Sequence, residues 1–225
     1  MYWYIPTAAS HWDCVSRSEI AAVLTTFATV IEWWKMRWLS MTYEAAPLPL
    51  KDGSVCFFRN PTYSDAAAFA VFSYQVRTET DFLLALPEEV EQNTEKVAQR
   101  LEATTDGQAQ MMLCAFVNGK LIGFAIVGQL GSRRKVQHRA TFGISILKDY
   151  WGLGIGTALM EHCIRYAENA GFLQLELDVV ADNESAVKLY KRHGFVEFGR
   201  NPLGFRRRDG SWQEVILMRR ELPQK

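Results

Sequence analysis

Between an apolar segment ending at Leu147 and a helix-patterned segment beginning at Ile155, the chain reads Trp151-Gly152-Leu153-Gly154-Ile155-Gly156-Thr157. Glycines at alternate positions of a strand-to-helix junction dictate a tight turn whose backbone can come close to an anion with no Cβ in the way. The first amides of a helix have no intrahelical partner and sit at its positive dipole end, so such a turn suits a phosphate or pyrophosphate. Spacing excludes two common phosphate loops. A Walker loop needs a lysine after its last glycine, and none follows here. A Rossmann fingerprint would place Thr157 or Leu159 in its third glycine slot, and it belongs after the first strand of a domain rather than the fourth. A tight turn without a ligand remains the alternative at this stage.

The elements around the turn set the fold class. Val55–Arg59 reads as a strand and Ser64–Val76 as a helix with Asp65 in its first turn. Pro87-Glu88-Glu89 starts a second helix that runs, with a break at Asn93-Thr94, to Glu102. Met111–Val117 and Leu121–Val127 are apolar runs joined by Asn118-Gly119, a strong hairpin signal. Val136–Leu147 is the next strand, followed by the glycine turn and a helix over Ile155–Ala170 that Gly171 ends. Leu173–Val180 is a strand, and Asn183 N-caps a helix that stops at His193-Gly194-Phe195. Val196–Phe198 and Trp212–Arg219 complete the pattern as strands joined by a long hairpin. This order predicts an α/β domain with one mixed central sheet and helices on both faces.

A second motif lies downstream of the turn: Asn183-Glu-Ser-Ala186-Val-Lys-Leu189-Tyr190-Lys-Arg-His-Gly194-Phe195. The glycine turn resembles the R/Q-x-x-G-x-G/A pyrophosphate loop of the GNAT superfamily of N-acetyltransferases. The downstream stretch is similar to that superfamily's N-x-x-A-x-x-L-Y-x-x-x-G-F segment. Both occur in the family's order, with a strand between them, and the resemblance covers about 170 residues from position 51 onward. It implies a single GNAT-like domain over residues 46–225 that transfers an acetyl group from acetyl-CoA to a primary amine, without a metal. The backbone of Ile144, Ser145 and Ile146 would pair with the pantetheine arm. Amides of Trp151, Gly152, Leu153, Gly154, Ile155, Gly156 and Thr157 would hold the pyrophosphate. Asn183 would bond the pantetheine or order that corner, and Tyr190 would protonate the departing thiolate. Trp151 departs from the family pattern, standing where arginine or glutamine is usual, which leaves the amides with more of the phosphate. A GNAT-like module that binds an acyl-CoA without turnover is the competing reading.

An amine acceptor must also lose a proton. Alternation places Glu176 and Asp178 on one face of their strand, opposite Leu175, Leu177 and Val179. Asp178 lies five residues before Asn183, where some protein N-terminal acetyltransferases of the superfamily carry a glutamate base. The bland reading pairs these carboxylates with arginine or lysine on a covering helix, or makes them the wet end of the strand, and it is favoured for Glu176. His193 ends a helix and reads as a cap. Arg206-Arg207-Arg208 fall in a hairpin loop and read as solvated. The segment Tyr74–Leu86 and the terminal hairpin would bind the acceptor, with Glu79, Asp81, Phe82 and Trp212 present there.

Composition supplies the exclusions. Twenty-five Lys+Arg balance 25 Asp+Glu, which speaks against electrostatically driven binding to nucleic acid or an anionic membrane. Four cysteines and four histidines lack metal-ligand spacing, and reduced thiols suit the cytoplasm. The apolar run Ile20–Ile31 is shorter than the roughly 20 residues a spanning helix needs, so stable membrane insertion is not expected. The acceptor is expected to be a small-molecule or peptide amine, and a homodimer is compatible with the sequence. Five of seven tryptophans fall in the first 38 residues, whereas the first of 15 glycines is Gly53. Residues 1–45 thus read as an extension: a helix bearing the stripe Ile20, Phe27, Ile31, Trp34 and Trp38, or a stretch preceding a later start at Met36 or Met41.

Overall fold

A computed structural model describes residues 47–106 and 110–223. The extension read over residues 1–45 lies outside the described residues. The described strands are β1 (Leu48–Pro49), β2 (Val55–Arg59), β3 (Gln110–Val117), β4 (Lys120–Gln129), β5 (Arg139–Ile146), β6 (Gln174–Val180), β7 (Val196–Arg206) and β8 (Trp212–Glu221). The helices are α1 (Ala66–Thr78), α2 (Thr94–Asp106), α3 (Ile155–Asn169) and α4 (Glu184–Arg192). All eight strands form one mixed sheet in the order β1-β2-β3-β4-β5-β6-β8-β7, with β5–β6 as its parallel pair.

The sheet is covered on both faces. Phe58 of β2 meets the ring of His162 on α3, whereas Phe69 and Phe72 of α1 meet Phe124 of β4 from the opposite side. That is why Met111–Val117 is buried at every position instead of alternating. Side chains such as Phe58, Phe72, Leu113 and Met160 are fully buried, each contributing about 1.5–3 kcal/mol relative to exposure.

Local punctuation follows the sequence. Asn118 and Gly119 take φ of 51° and 77° at the β3–β4 turn. Gly171 and Gly194, both left-handed, end α3 and α4 with the bonds Phe172 N–H to Ala167 C=O and Phe195 N–H to Tyr190 C=O. The break expected at Asn93-Thr94 is where α2 begins. The Pro87–Glu89 segment is an isolated 3-10 turn, and the Asn93 side chain caps Lys96 N–H at 3.1 Å. The main difference lies in β7, which runs on to Arg206 where the sequence indicated only Val196–Phe198. It is an edge strand, interrupted by bulges, with Gly204 lying directly over Val215 of β8.

Candidate active site

β5 and β6 pair only from Arg139↔Gln174 to Thr141↔Glu176, then separate. A cavity of about 900 Å³ fills the splay, lined by Ile144–Ile146 on one side and Leu177–Val179 on the other. The register of β5 on β4 decides which backbone groups face it. Leu147 N–H bonds Ile122 C=O and Leu130 N–H bonds Arg139 C=O, so odd-numbered residues of β5 point toward β4. Ile144 and Ile146 therefore turn their N–H and C=O toward the cleft, whereas the backbone of Ser145 is used by Phe124. Of the three residues expected at this edge, two offer backbone groups to a ligand; Ser145 lines the cavity but its ladder bonds are spent.

The glycine turn closes one end of the cleft. Gly152 and Gly154 have φ of 75° and 88°, conformations that a side chain resists, and Gly154 is the N-cap of α3. Gly156 is needed for a different reason: a Cβ there would lie 3.3 Å from Leu189 and 3.5 Å from Ile146, so it sets how closely α3 approaches α4 and β5. Ala158 N–H is the first to bond back, to Gly154 C=O. The amides from Gly152 to Thr157 have no partner among the described residues. Ile155 is fully buried and Leu153 packs on the core, so these two can contribute only their amides. Trp151 is held by two local bonds: its amide donates to Lys148 C=O at 3.1 Å, so it is not one of the free amides expected for a pyrophosphate, and its indole N–H donates to Ile146 C=O at 2.7 Å, tying the loop to the end of β5.

α4 supplies the opposite wall. Asn183 Oδ1 accepts Ala186 N–H at 3.2 Å and the Ser185 hydroxyl at 3.1 Å, fixing the start of the helix. Tyr190 lines the cavity, 6% exposed, between the rings of Phe142 and Phe195. Its hydroxyl has no hydrogen bond among the described residues, and burial pushes its pKa above the usual phenol value. His193 takes the capping position, with Nδ1 2.9 Å from Leu189 C=O.

The two carboxylates of β6 differ sharply. Glu176 is held by Arg139 on the adjacent strand, Nη2 to Oε2 at 2.7 Å, and by Gln174 at 2.9 Å. The Arg139 hydrogen bonds hold its pKa below the ordinary glutamate value. Its partner is thus a neighbouring strand and not a covering helix. Asp178 is accessible at the cavity and has no hydrogen bond or ion pair among the described residues. Desolvation, followed by the Glu176 charge, raises its pKa.

Beyond Asp178 the cavity is walled by Val76, Thr80, Phe82, Leu83 and Leu84 on the α1 side and by Phe205 of β7. Of the residues noted near the acceptor, Phe82 lines the cavity. Glu79 instead accepts Lys148 N–H at 2.7 Å, and Trp212 lies under Arg206. Sequence reasoning missed Phe205, because the strand carrying it was not recognised. The Arg206–Arg208 run lies at the surface, as read, and there makes ion pairs: Arg207 with Asp182 at 2.9 Å and Arg208 with Glu88. No cluster of His, Cys, Asp and Glu suited to a metal occurs among the described residues, and no described helix is long and apolar enough to cross a membrane.

Known proteins share this fold. The acetyltransferase (GNAT) family matches residues 76–195. The ribosomal protein bS18-alanine N-acetyltransferase of Escherichia coli is 35% identical over 101 residues, which cover 44% of this chain and 64% of that enzyme. The chain therefore spans slightly less than two thirds of that relative. A GNAT-family acetyltransferase from Streptococcus pneumoniae superposes with a TM-score of 0.71 at 32% identity, covering 74% of this chain and 99% of its own. The fold also matches yncA from Salmonella typhimurium, a putative acetyltransferase solved with its cofactor acetyl-CoA, at TM-score 0.66 and 17% identity, over 76% of this chain and 95% of that one. The family match over residues 76–195, just over half of the chain, shows that this chain belongs to the GNAT family of acetyltransferases.

Proposed function

We propose that the protein transfers the acetyl group of acetyl-CoA directly to a primary amine. The observation that carries this reading is the conjunction, in one cleft, of an open strand edge and a run of unpartnered amides at a helix start. The first suits the amide-rich pantetheine arm, and the second suits a pyrophosphate. The residues present thus fit acetyl-CoA, which supplies an activated acetyl thioester when bound. Ile144 and the Ile146 N–H hold the arm, the amides of residues 152–157 hold the pyrophosphate, and Asn183 keeps α4 in place beside them.

Tyr190 and Asp178 carry the proton transfers. A phenol raised by burial stays protonated at neutral pH and can donate to a departing thiolate. Asp178, unpaired among the described residues in the same cavity, accepts in its carboxylate form the proton that the acceptor ammonium must lose, directly or through one water. Glu176 is unsuited to that role because Arg139 and Gln174 occupy its oxygens. The bS18-alanine enzyme's name supports an amine on a polypeptide as one acceptor class, and the family supports acyl transfer generally. Incubation with acetyl-CoA and a cell extract, read by mass spectrometry, tests the proposal. An amine gaining one acetyl group only with active protein supports it. No such product above the protein-free control counts against it.

A further inference from the structure

The chain enters the glycine turn through a 3-10 turn, Lys148–Tyr150, which follows Leu147 at φ −57° and ψ 142°. Tyr150 N–H bonds Leu147 C=O and Trp151 N–H bonds Lys148 C=O, which leaves the N–H of Lys148 without a partner inside the turn. Glu79 supplies that partner from the end of α1. Its carboxylate accepts Lys148 N–H at 2.7 Å, across 69 positions of sequence. The other carboxylate oxygen accepts Gln75 Nε2 at 2.8 Å, one helical turn back, and so the side chain is aimed. Glu79 is the C-cap of α1 and does not itself line the cavity. Its neighbours on both sides of the bond do: Val76, Thr80 and Phe82 belong to the wall on the α1 side, and Tyr150, Trp151 and Gly152 to the loop end.

Resting on the reading of the cleft as an acetyl-CoA site, we infer that Glu79 is a positioning residue shared by the two halves of that site. It sets the loop of free amides against the α1 wall, and it acts through Lys148 N–H without touching either substrate. Two side-chain bonds hold the start of the loop. The Trp151 indole ties it to β5, the strand it leaves, whereas Glu79 ties it to a separate element. A loop attached to β5 alone can swing about the end of that strand. The second attachment removes this freedom, so the amides of residues 152–157 are ordered before a ligand arrives and less entropy is lost on binding. The bond needs an oxygen at position 79 and an N–H at position 148. A glutamine at 79 keeps the oxygen, and Gln75 can turn its own amide to match; the side chain of Lys148 takes no part.

The test deletes the bond from each end. Glu79→Ala removes the acceptor oxygen and Lys148→Pro removes the donor. Proline is tolerated at the first position of a helical turn, and Leu147 already has the extended backbone that proline asks of the residue before it. Calorimetric titration with coenzyme A is expected to give a Kd raised roughly 3- to 10-fold in each variant, no further in the double variant, and by less than about 2-fold in Glu79→Gln. Hydrogen exchange at saturating coenzyme A reads the other end of the bond: the protection that residues 79–84 gain in the wild-type protein should be lost in Glu79→Ala and Lys148→Pro and kept in Glu79→Gln. Wild-type affinity in Glu79→Ala, additive losses in the double variant, a Glu79→Gln loss as large as that of Glu79→Ala, or equal protection of residues 79–84 in wild type and Glu79→Ala overturns the inference while the acetyl-CoA site stands. Absence of coenzyme A binding to the folded wild-type protein overturns both.

Discussion

Glu176 and Asp178 stand two residues apart on one face of β6, and only Glu176 is tied down. Arg139 and Gln174 hold its carboxylate, whereas Asp178 faces the cavity without a partner among the described residues. Arg139 thereby separates two carboxylates that alternation alone makes equivalent. One pKa is pushed down by hydrogen bonds and the other up by desolvation.

Asp178→Asn is expected to lower kcat by about 10²–10⁴-fold while leaving acetyl-CoA affinity unchanged. The wild-type rate falls toward acid as Asp178 protonates, through a pKa above its ordinary value of 3.8. Stability runs the other way. A carboxylate whose folded pKa is raised stabilises the fold when protonated, and that contribution is lost as pH rises through the folded pKa. At neutral pH the asparagine variant should therefore melt no lower than wild type. A pH–rate profile paired with thermal melts checks both halves.

Glu176→Gln should show the opposite balance. The lowered pKa of Glu176 contributes stability that is present above its unfolded value and lost as pH falls through the folded one. The variant should melt lower than wild type at pH 7, and the difference should shrink in acid. Its kcat should fall far less than that of Asp178→Asn.

Tyr190→Phe keeps the ring between Phe142 and Phe195, so folding and acetyl-CoA affinity should be preserved while kcat falls on the order of 10²-fold. Tyr190→Ala removes a buried ring and should cost about 3–5 kcal/mol of stability. Calorimetric affinity measured beside kcat separates the two effects.

Trp151→Phe deletes the indole N–H donated to Ile146 C=O and keeps an aromatic ring. The loop that carries the free amides is then less firmly attached to β5. Acetyl-CoA affinity should weaken by roughly 2- to 10-fold with the pH profile unmoved. Gly154→Ala places a Cβ on a backbone at φ 88°, a strain of about 1–2 kcal/mol in the same loop. It should weaken binding and lower the melting temperature together.

The features legible in the sequence are those encoded locally. Asn118-Gly119, the glycine turn, Asn183 as a cap and the Gly-apolar stops at Gly171 and Gly194 each require only a few adjacent residues to act. β7 was not legible beyond Phe198 because it is an exposed edge whose pairing is supplied by β8. Pro202 and two glycines interrupt any alternation there. Arg139 as the partner of Glu176 and the lost availability of the Ser145 backbone both depend on register between strands distant in sequence. Chain periodicity carries no record of register. Trp151 shows the same limit: its departure from the family pattern was visible, but its bond to Ile146 required the turn to be folded.

Free thiol released from acetyl-CoA, titrated across a panel of peptide and simple amines, tests acetyl transfer most directly. Amine-dependent release by the wild-type protein, reduced on the order of 10²-fold in Tyr190→Phe and at least as far in Asp178→Asn, is the predicted result. Calorimetric binding of acetyl-CoA with no amine-dependent thiol from any acceptor would contradict it and would make the cleft a binding site without turnover.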